Sequence, residues 1–429
     1  MLNKIKDDLD ELLAHKVISE ETASAIASYY QYKENQSPSK LLIVFGVLGA
    51  LLGGLGIILV FAHNWDNFSV GVKCVLSLLP LLLGQILCGF TLFKKPESLA
   101  WRESSAVFLF FAVGASISLI AQTYHISGDF PTFVMTWMLL CLPLVYLMKS
   151  QVTSLLYLIG ITVFCINKNY FHHPKIENYT YWLLLLGIIP NYYFLIKNQL
   201  KSNFTTLHHW FITISTTIGI GSLVNGNSNE TLLIYVFVLL FSCFYLIGKL
   251  PLFSTLKIAV NSYALVGKIG LLYLLFMQSF RWFWEDIENN KTNIQSVVFG
   301  VTLVLFAIAS YLLYLSISKK KTTFDNLIQY AFLALLLFFF VLQINLLAVV
   351  VLINFYLLLI GIQEISKGNT TNSLSRMNFG ILIVAILITC RFFDTDMSFV
   401  IRGILFILVG IGFFALNYFM LRKKKQNGQ

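Results

Sequence analysis

The chain has 429 residues, of which 57% are hydrophobic and only 12% charged. That composition excludes a water-soluble globule, whose surface would lack polar groups, and makes a lipid bilayer the solvent. The formal net charge of +10 then reads as a topology signal with attraction to anionic headgroups, in preference to nucleic acid.

Residues 1–36 predict a short cytoplasmic helical hairpin. Leu2, Ile5, Leu9, Leu12 and Leu13 make one apolar stripe, "HKVIS" breaks it, and Ser19 is placed to cap a second helix. Glu20 and Glu21 stand in that helix's first turn, where the dipole favours acids, and Ala23, Ile26, Ala27 and Tyr30 form its apolar face. So small a unit is expected to dock, as a cap on the first spans or, alternatively, on a protein partner. This segment is charged and amphipathic, unlike a cleavable signal, so the first span is expected to direct insertion.

About fourteen apolar runs follow, each of the length that crosses a ~30 Å hydrocarbon core as a helix. They are 41–62, 71–93, 104–125, 131–148, 151–167, 179–196, 206–224, 231–248, 255–279, 294–317, 324–342, 345–365, 373–391 and 399–421. Their continuity, without alternation, favours helices over barrel strands. The fold class is therefore all-α, a polytopic membrane helix bundle. Its expected divisions are the hairpin, a four-helix membrane domain at 37–150 and a ten-helix domain at 151–425 with a basic tail. The six cysteines all fall inside apolar runs without C-x-x-C pairing and read as packing residues. Small residues in "GVLGALLGGLG" (46–56) permit close approach by a neighbouring helix.

With the N-terminus inside, 22 of the 30 Lys and Arg residues fall on the cytoplasmic side. This satisfies the positive-inside rule and favours an even number of spans, with both termini in the cytoplasm of a bacterial inner membrane.

Three polar motifs then share the extracytoplasmic face. The first is His63, Asn64, Trp65, Asp66 and Lys73; the second is Gln122, Tyr124, His125, Gly128 and Asp129; the third contributes Arg391, Asp394, Asp396 and Arg402. In the first and third, an aromatic–Asp turn precedes Ser69 or Ser398 as N-cap and then Lys73 or Arg402, a cation opposing the helix dipole and wanting an anion. Asp66, Asp394 and Asp396 are the local anions. These residues are candidates for a ligand-binding mouth, against a plain reading as interfacial belt and helix caps. Histidine and carboxylate suit a divalent ion in principle, but the spacing matches no recognised pattern, so no metal or other cofactor is expected. The pairs His172-His173 and His208-His209 read as snorkelling side chains.

Lys268, in "VGKIGLL", lies about thirteen residues into the run 255–279, close to the bilayer midplane. A lysine there costs at least ~3 kcal/mol unless it is paired, neutral or facing water. No acid is predicted at its depth, since Glu364 sits near a helix end, so the lysine is expected to face a polar cavity lined by Asn261, Asn354 or Gln343.

"KVISEETASAI", the glycine-rich first span ending in "NWD", and "QTYHISGDF" together resemble the bacterial predicted membrane proteins of domain-of-unknown-function family 2157 over the first ~150 residues. The resemblance implies a multi-span envelope protein and no particular activity. Walker, dinucleotide, GxSxG and HExxH motifs are all lacking. The leading expectation is a transporter-like or ligand-binding protein for a small anionic or lipid-linked solute. Its rivals are an integral membrane enzyme using Asp66, His125 and Asp129, and a scaffold contacting its partner through the hairpin.

Overall fold

The computed structural model describes residues 8–9, 11–35, 65–170, 179–224, 230–285, 297–319, 326–342 and 345–394, with residues 400, 403–404, 407, 410–412, 414–415 and 418. Every regular element among them is a helix. They divide into two units, 1–76 and 77–429.

In the first unit, a helical turn at 11–14 is closed by Lys16 in the left-handed region (φ 56°). The Val17 and Lys16 amides return to the Leu12 and Leu13 carbonyls, which satisfies groups the turn would otherwise leave open. Ser19 then caps α1 (Glu20–Asn35), its Oγ accepting from the Thr22 amide at 3.2 Å, with Glu20 and Glu21 in the first turn as the dipole prefers. Leu9 and Ala23 are buried. A 3-10 turn at Trp65–Asn67 leads into α2 (Val70–Lys94), where the Ser69 hydroxyl faces the Val72 amide at 3.5 Å.

In the second unit, α3 (Leu99–Thr123), α4 (Phe130–Met148) and α5 (Gln151–Tyr170) pack on one another. Then come α6 (Thr180–Leu186), α7 (Ile189–Gln199), α8 (Asn203–Val224), α9 (Glu230–Lys249), α10 (Pro251–Ser254) and α11 (Ser262–Met277). After the short α12 (Arg281–Glu285) come α13 (Val297–Lys319), α14 (Ala331–Leu342), α15 (Leu346–Thr370) and α16 (Leu374–Asp394). One core gathers Phe110, Met138, Tyr157, Phe164 and Tyr181; a second gathers Leu239, Leu271, Phe332, Ile353 and Leu357.

Eight helices among the described residues are long and apolar enough to cross a bilayer. Several other predicted runs are helical but interrupted. The run 179–196 breaks into α6 and α7 at Gly187 and Ile188, just before Pro190, which cannot donate a helical hydrogen bond. The run 255–279 yields only the sixteen residues of α11, and 324–342 opens with a 3-10 turn at Leu327–Tyr330. The run 41–62, with its glycine-rich stretch, lies outside the described residues, as do many positions of 399–421.

Two glycine-lined crossings set the geometry of the second core. A Cβ on Gly267 of α11 would stand 2.4 Å from the Tyr245 backbone nitrogen, and one on Gly248 of α9 would stand 2.4 Å from that of Ala264. A Cβ on Gly368 of α15 would likewise meet the Met377 backbone nitrogen at 2.5 Å. Helix association in lipid is driven by such close packing, because lipid tails are as apolar as leucine.

Candidate functional site

Lys268 directly follows Gly267, and Glu364 lies between Gly361 and Gly368, so the two crossings deliver both side chains to one place. Lys268 Nζ stands 3.4 Å from Glu364 Oε1 and 3.9 Å from the centre of the Phe379 ring. Arg376, in the first turn of α16, brings Nε to 4.0 Å from the other carboxylate oxygen. The carboxylate is nearly buried, with 7% of the side chain exposed, against 24% for Lys268 and 46% for Arg376.

This corrects the expected placement of Lys268. The helix starts at Ser262, because Asn261 caps it by accepting from the Ala264 amide at 3.0 Å. Lys268 is thus only about 9 Å from that end, and Glu364, six residues before the end of α15, lies at a matching depth. The expected cavity lining is also reassigned. Asn261 donates to the Gly248 and Phe253 carbonyls, Asn354 donates to the Ser279 and Val350 carbonyls, and Gln343 lies outside the described residues.

The loop motifs take more local roles. In the first, Trp65 is buried, Asp66 is exposed and the Lys73 ammonium lies 6.0 Å from the Trp65 ring centre, a cation–π distance. In the second, Gln122 is exposed and accepts from the His125 amide through its carbonyl, while Tyr124 caps α3. His125 adopts φ 51°, and Ile126 returns its amide to the Ala121 carbonyl. His125 therefore occupies the left-handed closing position where glycine is usual. Asp129 caps α4 by accepting from the Thr132 amide at 3.2 Å, and hydrogen bonds from Thr132 hold its carboxyl below the usual carboxylate range.

In the third motif, Asp394 belongs to α16 and accepts from Arg391 at 2.5 Å. The acid is paired with a cation one turn earlier; Arg402, for which Asp394 or Asp396 was the expected anion, lies outside the described residues. Arg391 also donates to Ser279 Oγ at 3.1 Å and lies over the Phe280 ring. The second motif closes helices of the first core while the third is tied to the end of α11, so they are held by different neighbours. His63, Asn64, Asp396, Ser398, Arg402, His172 and His173 lie outside the described residues.

A further polar network joins α5, α7 and α8. Gln151 and Asn191 exchange amide hydrogen bonds at 3.1 and 3.4 Å, Asn191 donates to Ser154 Oγ at 3.0 Å, and Ser154 Oγ lies 2.7 Å from His208 Nε2. His208 Nδ1 lies 2.7 Å from the Phe204 carbonyl, which can only accept, so that nitrogen carries the proton. Both His208 and His209 are fully buried. They do not snorkel, because α5 covers one side of α8 and α11 the other; His209 packs against the Tyr192, Phe253 and Tyr263 rings. Glu103 meanwhile caps α5, accepting from the Gln151 and Val152 amides at 2.8 and 3.1 Å and from the Ser150 hydroxyl. Apart from the two histidines, sequence reasoning passed over these residues, although Asn191 beside Pro190 within an apolar run was a signal.

The quoted motifs at 16–26, 64–66 and 122–130 all fall within one stretch with a recognisable counterpart. Residues 10–154 match the family model described as Predicted membrane protein (DUF2157). The DUF2157 segment ends at Ser154, just inside the helix start that Glu103 caps. Neither the curated proteins nor the solved structures return a match. Together with its apolar helices, the DUF2157 match makes the chain a multi-helix membrane protein.

Proposed function

We propose that the chain is a transporter-like or ligand-binding protein of the bacterial cytoplasmic membrane, with fourteen spans, both termini in the cytoplasm and a small anionic or lipid-linked solute. The observation that carries this reading is the Lys268–Glu364 pair between α11 and α15. Ionisable groups inside a membrane bundle are costly and concentrate along solute and ion pathways. This pair also sits on a broken helix: α11 is flanked by the short α10 and α12, and discontinuous helices near the middle of a bundle are where transporters place their sites.

The test is electrical. Proteoliposomes on a solid-supported membrane are challenged in turn with inorganic phosphate, succinate and a sugar phosphate. A transient current with at least one anion is expected, and Lys268→Met, confirmed as folded, is expected to abolish it. Silence of the wild-type protein toward all three, or a current indifferent to Lys268→Met, would overturn the proposal.

A further inference from the structure

We infer that the Lys268–Glu364–Arg376 cluster is a binding site for a phosphate-bearing anion at one end of the second helix core. Charge is the first ground. One carboxylate serves two cations, so the triad keeps an uncompensated positive charge among apolar helices. Lys367, in the last turn of α15, lies within electrostatic reach of Lys268. The Tyr245 hydroxyl is within reach of both Glu364 and Arg376, and Lys249 Nζ lies 5.3 Å from the centre of the Tyr245 ring. Leaving the extra positive charge of the triad without a counter-anion beside hydrocarbon is costly, and a bound anion removes the cost.

Geometry is the second ground. Arg376 makes no hydrogen bond among the described residues, touches Glu364 only through Nε at 4.0 Å, and leaves nearly half its side chain exposed. Its planar fork of donors remains available, and that fork matches two oxygens of a phosphate. Lys268 supplies a point charge held in place by Glu364 on one side and the Phe379 ring on the other. Glu364 is the positioning residue: it orders both cations while competing with the incoming anion. Arg376 also stands in the first turn of α16, where the helix dipole adds to the positive field.

The same chemistry is offered by a free phosphate compound or by a phospholipid headgroup. The purified full chain in neutral detergent is titrated calorimetrically with inorganic phosphate against chloride at equal ionic strength. In parallel it is exposed to phosphatidylglycerol or phosphatidylcholine and examined by native mass spectrometry. Saturable binding of phosphate marks a solute site; selective retention of phosphatidylglycerol alone marks a headgroup site; either supports the inference if the variants agree. Arg376→Gln is expected to weaken binding about tenfold, the loss of one charge-assisted contact. Glu364→Gln is expected to tighten it several-fold, a gain that a merely structural acid would not give. Should Arg376→Gln not fold, Arg376→Lys keeps the charge, removes the fork, and is expected to weaken binding by a smaller factor. Absence of saturable binding to either probe, an arginine variant that binds as the wild type does, or a Glu364→Gln variant that binds no more tightly would overturn the inference. It rests on the transport reading only for the class of solute. Binding without current sinks that reading and keeps the site; current without Arg376-dependent binding does the reverse.

Discussion

His125 shows how a residue with chemical appeal can have a conformational task. Its φ of 51° ends α3 in the left-handed region, which costs a non-glycine residue about 1 kcal/mol because Cβ crowds the backbone. If closure is its whole role, His125→Gly is expected to raise stability by roughly 1 kcal/mol, less the added entropy of the unfolded chain. Thermal unfolding in detergent checks this, and a fall in Tm would mean that the imidazole makes a contact worth more than the strain. "QTYHISGDF" was legible as a turn between two spans, yet spacing alone does not separate a histidine that closes a helix from one that binds a ligand. Asp129 is a similar case, its carboxylate engaged with Thr132 as an N-cap. Lys268 was legible as an anomaly, but its partner was not. Depth was counted from the apolar run beginning at 255, whereas Asn261 delays the helix to Ser262 and so brings Lys268 level with Glu364.

Among the elements, the unbroken helices were the readable ones, since a long apolar run with polar ends has one economical solution in lipid. Breaks were hidden because hydropathy continues through them. Asn261 accepts from a backbone amide three residues on, and such a short polar residue inside an apolar run was the available cue. The crossing of α9 and α11 depends on a glycine in the same way that a break depends on its cap. Gly267→Ala would force a Cβ to within 2.4 Å of the Tyr245 nitrogen and 2.7 Å of the Phe241 carbonyl oxygen, both backbone atoms that cannot swing aside. A loss of about 1–3 kcal/mol is expected, as for overpacking a tight core. Gly300→Ala in α13 is the control, because a Cβ there meets nothing within 4 Å and gains about 1 kcal/mol of helix propensity. Equal effects of the two substitutions in detergent unfolding would contradict the packing argument.

For the molecule as a whole, the proposed orientation would send the segments at 63–70, 126–130, 280–293 and 392–398 outward, although 281–285 and 392–394 are helical. Single cysteines at Asn67, Asn290 and Thr395, in a chain stripped of its six free native cysteines, are expected to react with an impermeant thiol reagent in intact cells. Labelling only after lysis would invert the arrangement and put the Lys268 cluster on the outer side. The brevity of α11 carries a consequence for the surrounding lipid. Sixteen residues rise about 24 Å, several Å short of the ~30 Å hydrocarbon layer. On the proposed fourteen-span arrangement, part of that mismatch is expected to be absorbed by drawing the headgroup layer inward around the helix. Acyl-chain length would then act on this one helix beside Lys268, with shorter-chain lipids relieving a deformation that longer chains impose.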